Sequence, residues 1–208
     1  MRILLADDHV IVRQGLKALL EKEKFEIVAE ASDGREAVRL ARMLKPDLTV
    51  MDVGMPLMNG MDAAREIRRE LPRAKVIPLT MYTEDVYVLT ALKVGVSGYV
   101  VKTRATGDLV QAIREVQQGH FYLSPGVSRV VVSAYLDKRD LPPDPLTARE
   151  RQVLQLVAEG KTTKEAASFL QISTKTAESH RTRIMSKLDI HETAGLVRYA
   201  IRLGLIQP

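Results

Sequence analysis

The constraint that most limits what this chain can fold into is a strict alternation running from Ile3 to Val116. Short, mostly apolar runs (Ile3–Ala6, Glu26–Ala29, Leu48–Met51, Val76–Leu79 and Tyr99–Val101) alternate with longer stretches (Val12–Leu20, Glu36–Leu44, Ala63–Leu71, Val86–Val94 and Leu109–Val116) whose apolar positions follow helical spacing. Continuous apolar runs suit strands buried on both faces, and amphipathic stretches suit the helices that cover them. Five strand–helix units in succession therefore predict an α/β fold: a doubly wound, five-stranded parallel sheet with helices on both faces. Asp33 with Glu36 three residues later marks a helix start. Pro78 removes a ladder donor, so it is expected near the end of its strand or facing away from a neighbour.

In an open parallel sheet, ligands bind beyond the carboxyl ends of the strands, where the strand order reverses. Asp7 and Asp8 follow the first apolar run, Asp52 the third, Thr80 the fourth and Lys102 the fifth, so all five converge on one edge. Clustered carboxylates repel one another and are stable together only with a cation. All-oxygen ligation suits Mg2+, which binds through one or two carboxylates plus phosphate oxygens. An aspartate in such a site can attack a phosphoryl group and form an acyl phosphate. Lys102 and the Thr80 hydroxyl would compensate the transferred oxygens. Taken singly these residues have plainer uses as caps, turn residues or a solvated lysine. The combination is what points to phosphoryl chemistry.

The remainder of the chain has a different character. Residues 1–124 carry 18 Lys/Arg against 17 Asp/Glu, whereas residues 146–208 carry 10 against 6, leaving a surplus of +4 on the C-terminal part. A small basic domain beside a neutral one suits a polyanionic partner, although a solvated basic surface has the same composition. Ser124-Pro125 and the run Leu141-Pro142-Pro143-Asp144-Pro145 mark a linker over residues 124–145, which separates domains at 1–123 and 146–208. Val127–Leu136 within it fits a helix or a loose strand. The chain has no cysteine and no apolar run long enough to span a bilayer, which predicts a cytoplasmic protein.

From Leu146 the pattern is helical throughout, giving an all-α four-helix domain. Thr147 with Glu150 and Thr162 with Glu165 match the capping box, and Gly160 ends the first helix. Thr163–Leu170, a tight turn at Gln171-Ile172 and the helix Ser173–Leu188 compose a helix-turn-helix, whose second helix enters the major groove of DNA. Ala177, Ile184 and Leu188 share one face of that helix, while Lys175, Ser179 and Thr182 lie opposite, flanked by Glu178 and Arg183. These five, with Thr176 and Lys187, are the expected DNA contacts. Arg181 projects toward the apolar side. In the last helix, Thr193–Leu203, one stripe (Val197, Ala200, Ile201 and Gly204) is expected to face the domain. A second, Leu196, Tyr199 and Leu203, is left for a two-fold partner.

Several segments resemble known signatures. Leu5-Ala6-Asp7-Asp8-His9, the run Met51–Gly60, Leu79-Thr80 and Gly98–Lys102 are similar to the motifs of two-component receiver domains. Leu146–Leu154, Lys164–Ala167, Ile172–His180 and Ile184–Leu188 resemble the LuxR-type helix-turn-helix. Together they resemble the NarL/FixJ type of response regulator. The resemblance implies Asp52 as phosphoacceptor, with Asp7, Asp8, Asp52 and the Gly54 carbonyl around Mg2+. Thr80 and Lys102 are implied as the switch pair, and Tyr99 as an aromatic that turns inward when Thr80 moves. A sensor histidine kinase, promoter DNA and a second copy of the chain are the implied partners. Self-phosphorylation from a small donor and autodephosphorylation are the only catalysis implied. The chain departs from the common pattern at Thr103, where many receivers have proline, and at Met81, a usually small position expected to crowd Thr80. Ala177 stands where a larger valine is common. Tyr82 is placed to shade Asp52 from water.

Three other readings fit parts of the chain. A phosphatase or mutase using Asp52 as nucleophile would carry a second acid two residues later, where Gly54 stands. A constitutive DNA-binding protein with a vestigial receiver conflicts with the intact set of acids, hydroxyl and lysine. A dinucleotide-binding protein lacks its G-x-G-x-x-G after the first strand.

Overall fold

The computed structural model describes residues 1–128, 131 and 144–206. The expectations for Val127–Leu136 and for the proline run from Leu141 fall largely outside the described residues. The chain divides into two compact units, one α/β and one helical.

The α/β unit runs β1 (Arg2–Ala6), α1 (Val10–Lys22), β2 (Glu26–Ala31), α2 (Gly34–Leu44), β3 (Leu48–Asp52), α3 (Gly60–Glu70), β4 (Lys75–Thr80), α4 (Asp85–Val94), β5 (Gly98–Val101), α5 (Ala105–Gln117) and β6 (Tyr122–Leu123). Strand order is β2-β1-β3-β4-β5-β6, and each pairing is parallel. The sheet thus has six strands where five were expected. β6 is two residues long, too short to leave a periodic signal. It is held by Ser124, whose N–H donates to the Tyr99 carbonyl at 3.0 Å and whose hydroxyl donates to Asp108 at 2.7 Å. Ser124, expected to open the linker, is fully buried, as is Val127. The α/β unit therefore continues past residue 123.

Alternate strand residues supply the two faces. Ile3, Leu5, Leu48, Val50, Ile77, Leu79 and Val100 pack with Leu16 and Leu20 of α1 and Leu109, Ile113 and Val116 of α5. The opposite face buries Val53, Met61, Val88, Ala91, Tyr99 and Val101 with residues of α3 and α4. The Asp33 carboxylate accepts from the Glu36 N–H at 2.9 Å, as its spacing predicted. Pro78 sits inside β4, opposite Met51 of β3. Pairing with β5 begins only at Leu79, so the missing N–H falls outside that short ladder.

The helical unit holds α6 (Ala148–Ala158), α7 (Thr163–Leu170), α8 (Thr174–Leu188) and α9 (Thr193–Arg202). Both expected capping boxes are formed, and Gly160 takes φ +81° just past the α6 cap. Val153, Leu154, Leu156 and Val157 of α6 meet Ala166 and Leu170 of α7, Ile184 of α8, and Leu196 and Ala200 of α9. This corrects the expectation for the last helix. Leu196 is 1 % exposed, and Tyr199 and Leu203 pack against the same core. Positions 196, 199, 200 and 203 form one i, i+3, i+4, i+7 stripe and must bury together. Of the stripe assigned to the interior, Ala200 and Gly204 are buried as expected, whereas Val197 and Ile201, like Tyr199 and Leu203, are half-buried.

Glu150 serves two purposes. Its carboxylate accepts the Thr147 N–H at 2.8 Å, closing the α6 cap, and it lies 2.7 Å from Lys187 Nζ of α8. Burial opposes the charge, but the bonds from Lys187 and Thr147 outweigh it and hold the carboxyl near a pKa of about 2. A folded-state pKa below the unfolded value, roughly 4.3, stabilises fully above that value and is lost as pH falls toward about 2. We expect Glu150→Gln to flatten the loss of stability of the helical unit between those two values, as measured by urea unfolding at stepped pH. Lys187→Ala should cost about 1–3 kcal/mol at neutral pH, because it strands a buried carboxylate.

Candidate functional site

The strand order reverses between β1 and β3, and the crevice there receives the acids. Asp7 and Asp52 are buried and Asp8 is half-buried. Lys102, reaching in from the end of β5, places its ammonium 2.8 Å from both Asp7 Oδ2 and Asp52 Oδ2. Beyond this ion pair neither oxygen has a hydrogen-bond partner among the described residues. The other Asp52 oxygen accepts the Gly54 N–H at 3.3 Å. Asp8 Oδ1 is likewise buried without a hydrogen bond, and its neighbour is His9 Nδ1 at 2.9 Å. Asp7, Asp8, His9 and Asp52 offer ligand atoms that all lie within 4.8 Å of one another. Buried carboxylate oxygens short of donors are what a hard divalent cation requires, so the donor set fits Mg2+.

Burial pushes the Asp52 carboxyl above its ordinary pKa, against the pull of Lys102 and with added repulsion from Asp7. Burial also works against the Lys102 ammonium, but Asp52 and Asp7 outweigh it and raise its pKa. The site therefore keeps a charged lysine beside an acid that is costly to ionise.

Thr80 is buried at the end of β4, and its Oγ1 accepts the Tyr82 N–H at 3.2 Å. Tyr99 is 1 % exposed and donates its hydroxyl to the Tyr82 carbonyl at 2.9 Å, so its ring is already inward. Met81 points outward at 60 % exposed and does not crowd Thr80, contrary to expectation. A β-carbon on Gly60 would come within 2.0 Å of the Asp52 carbonyl oxygen. Only glycine lets α3 begin this close to the acid.

One supporting group escaped the sequence reading. Arg13 of α1 donates to the Asp7 carbonyl at 2.6 Å and to Glu30 of β2 at 3.1 Å. Lys17 and Gln14 close on the same glutamate at 2.9 and 3.0 Å. A single arginine on a helix carries no signal of such a brace until β2 is placed beside β1.

In the helical unit, α7 and α8 meet through a turn with Gln171 left-handed at φ +54°. Ser173 caps α8, accepting the Thr176 N–H at 3.1 Å. Lys175, Thr176, Glu178, Ser179, Thr182 and Arg183 are all exposed. Two hydroxyls are engaged locally: Thr176 Oγ1 is 2.8 Å from Ser173 Oγ, and Thr182 donates to the Glu178 carbonyl at 3.1 Å. Lys187 is exposed as well and also pairs with Glu150. Arg181 is half-buried and donates to Thr193 at 3.0 Å, as its inward direction predicted.

Residues 3–114 match the response regulator receiver domain and residues 144–200 the bacterial regulatory proteins of the luxR family. The chain is 41% identical over 209 residues to the transcriptional regulatory protein LiaR of Bacillus subtilis, covering 99% of each. It is 37% identical over 207 residues to the transcriptional regulatory protein MctR of Rhizobium johnstonii, covering 99% of this chain and 95% of MctR. This chain is a two-component response regulator. Among solved structures, Salmonella typhimurium RcsB superposes with TM-score 0.67 at 29% identity over 98% of both chains. An RcsB–DNA complex gives 0.62 at 31% over 96% of both. The regulator accordingly pairs a receiver with a LuxR-type DNA-binding domain, and no helix among its described residues is long and apolar enough to cross a membrane.

The raised Asp52 carboxyl means that folding favours its protonated form, so its charge opposes folding above its ordinary pKa. Asp52→Asn should therefore melt higher than the wild-type regulator at neutral pH in chelator-treated buffer, as calorimetry would record. An equal or lower melting temperature would contradict this charge balance.

Proposed function

We propose that the regulator accepts a phosphoryl group on Asp52 from a partner histidine kinase, and that the modified chain dimerises and binds promoter DNA through α8. The observation that carries this reading is the Lys102 ammonium held 2.8 Å from Asp52, at the edge where Asp7 and Asp8 also gather. Asp7, Asp8, Asp52 and the Gly54 carbonyl would hold Mg2+, which supplies positive charge against the phosphoryl oxygens. Asp52 attacks phosphorus through one carboxylate oxygen, and the bond to the donor breaks as the acyl phosphate forms. Lys102 neutralises developing charge, and the Thr80 hydroxyl turns toward the new oxygens. The same centre would take label from small acyl phosphates without a kinase and would lose it slowly by self-hydrolysis.

Phosphorylation adds about −1.5 to −2 charges where Lys102 now balances two carboxylates. Lys102 and Thr80 must rearrange, and the elements carrying them, β4, β5 and the adjoining α4 and α5, form the switch. Moving a two-state equilibrium from 1:99 to 99:1 takes about 5.5 kcal/mol, within reach of a charged group making several new contacts. For DNA we assign base reading to Lys175, Ser179 and Thr182, with Glu178, Arg183 and Thr176 beside them. The half-buried Val197 and Ile201 of α9 replace Leu196, Tyr199 and Leu203 as the surface for a second copy. A role in reading DNA from a kinase signal places the chain in the bacterial cytoplasm.

Incubation with a small phosphodonor and Mg2+ should add one phosphoryl group by intact mass to the wild type and none to Asp52→Ala. Phosphorylated wild type should shift to dimer and bind its DNA more tightly, whereas Asp52→Ala should not respond. Unchanged oligomeric state and DNA affinity on full labelling would refute the coupling. On DNA, Ser179→Ala should lose about 1–3 kcal/mol of discrimination at one base position. Arg183→Ala should weaken all sequences alike and lower the salt slope by about 1.

A further inference from the structure

Tyr82 carries three contacts at once. Its N–H donates to Thr80 Oγ1 at 3.2 Å, and its carbonyl accepts the Tyr99 hydroxyl at 2.9 Å. Its ring stacks on Tyr87 of α4, with centroids 4.3 Å apart and planes at 23°. The two hydrogen bonds join the residues that respond to phosphorylation, and the stack joins them to α4. We infer that Tyr87 is a positioning residue for the phosphorylation site: by stacking on Tyr82 it fixes the residue that ties Thr80 to Tyr99, and so sets how long the acyl phosphate on Asp52 survives.

The reasoning begins with the hydroxyl. A threonine oxygen that already accepts an N–H keeps its own O–H free to donate. The Thr80 hydroxyl, which also meets the Tyr99 hydroxyl, can turn its proton to a phosphoryl oxygen while it keeps the Tyr82 N–H, provided the Tyr82 backbone stays in place. Only Met81 separates Tyr82 from Thr80, and this segment beyond β4 has no sheet ladder to hold it. The ring stack on a regular helix supplies the anchor. The pKa of the Tyr82 hydroxyl is raised by burial and then by the charge of Asp52, and its backbone is already tied to Thr80 at the same edge. In hydrolysis, a water oxygen bonds to phosphorus while the bond from phosphorus to the Asp52 carboxylate oxygen breaks. The products are the free carboxylate and inorganic phosphate, and the water proton passes to solvent. A ring held over this approach slows the water, and a ring freed from Tyr87 does not.

The inference rests on Asp52 as phosphoacceptor, so the test separates the two. The full chain is labelled with a small phosphodonor and Mg2+, the donor is removed, and loss of the acyl phosphate is followed by acid quench and intact mass. Tyr87→Ala should shorten the half-life by about 2- to 10-fold, the range that an aromatic pair is worth. Tyr87→Phe, which keeps the ring, should restore it to within about 2-fold of wild type. The double variant Tyr82→Ala with Tyr87→Ala should decay no faster than Tyr82→Ala alone, because both changes remove one device. A wild-type half-life for Tyr87→Ala, or a double variant whose effects multiply, would overturn the inference. If Tyr87→Ala melts well below wild type, Tyr87→Leu takes its place with the same expectations, since it covers the surface without a stack. Wild type that takes no label on Asp52 would refute the phosphoacceptor reading, and this inference with it. A labelled wild type with an unaltered Tyr87 variant would refute the inference alone.

Discussion

One ammonium group holds together the acidic edge of the receiver. Lys102 extends from the end of β5 to carboxylates at the ends of β1 and β3, passing across the end of β4. Neighbouring strands lie about 4.8 Å apart, so the span from β5 to β3 is roughly twice that and needs a long, flexible cation. The strand it crosses can offer only a short side chain, and Thr80 stands there. Charge and strand spacing together thus explain why lysine, threonine and aspartate occupy these strand ends in that lateral order. One ammonium already faces three carboxylates, and a phosphoryl dianion on Asp52, as proposed, would deepen that deficit of positive charge.

Much of this was legible in the sequence because parallel strands are buried on both faces and the apolar runs of β1, β3, β4 and β5 give way to a charged or hydroxyl residue at their carboxyl ends. Asp7, Asp8, Asp52, Thr80 and Lys102 stand directly after apolar runs, so finding the strands also found the site. What stayed hidden depended on lateral contacts. The Arg13 brace joins α1 to β2 behind the Asp7 carbonyl, and nothing in a linear pattern pairs those elements. β6 offers two residues and no period, and Ser124 looked like the start of a linker until Tyr99 and Asp108 were seen to hold it.

The helical unit shows the limit of periodicity in another form. The apolar residues of α9 occupy enough of its circumference that two stripes compete for the core. The sequence reading split Leu196, Tyr199 and Leu203 from Ala200, although the four positions are a single stripe. Shape decides such cases: the row that meets Val153, Leu156 and Ile184 is the one that buries the larger side chains. Lys187 gains a second partner for a related reason. A helical wheel locates a side chain by its Cα, but a lysine stem reaches several ångströms from there. Here the head turns toward a buried glutamate on α6.

That pair between Lys187 and Glu150 fastens α8 near its trailing end, while Lys175 and Ser179 lie toward the opposite end. Twelve residues of helix separate Lys175 from Lys187, about 18 Å at 1.5 Å per residue. Over such a length, tilting the helix by about five degrees carries the forward end some 1.5 Å sideways, comparable to the tolerance of a hydrogen bond to a base edge. A fixed pivot at the rear therefore works like the fulcrum of a pointer. If this helix reads DNA as proposed, how squarely it addresses a base would be set at a contact about 18 Å behind the reading end.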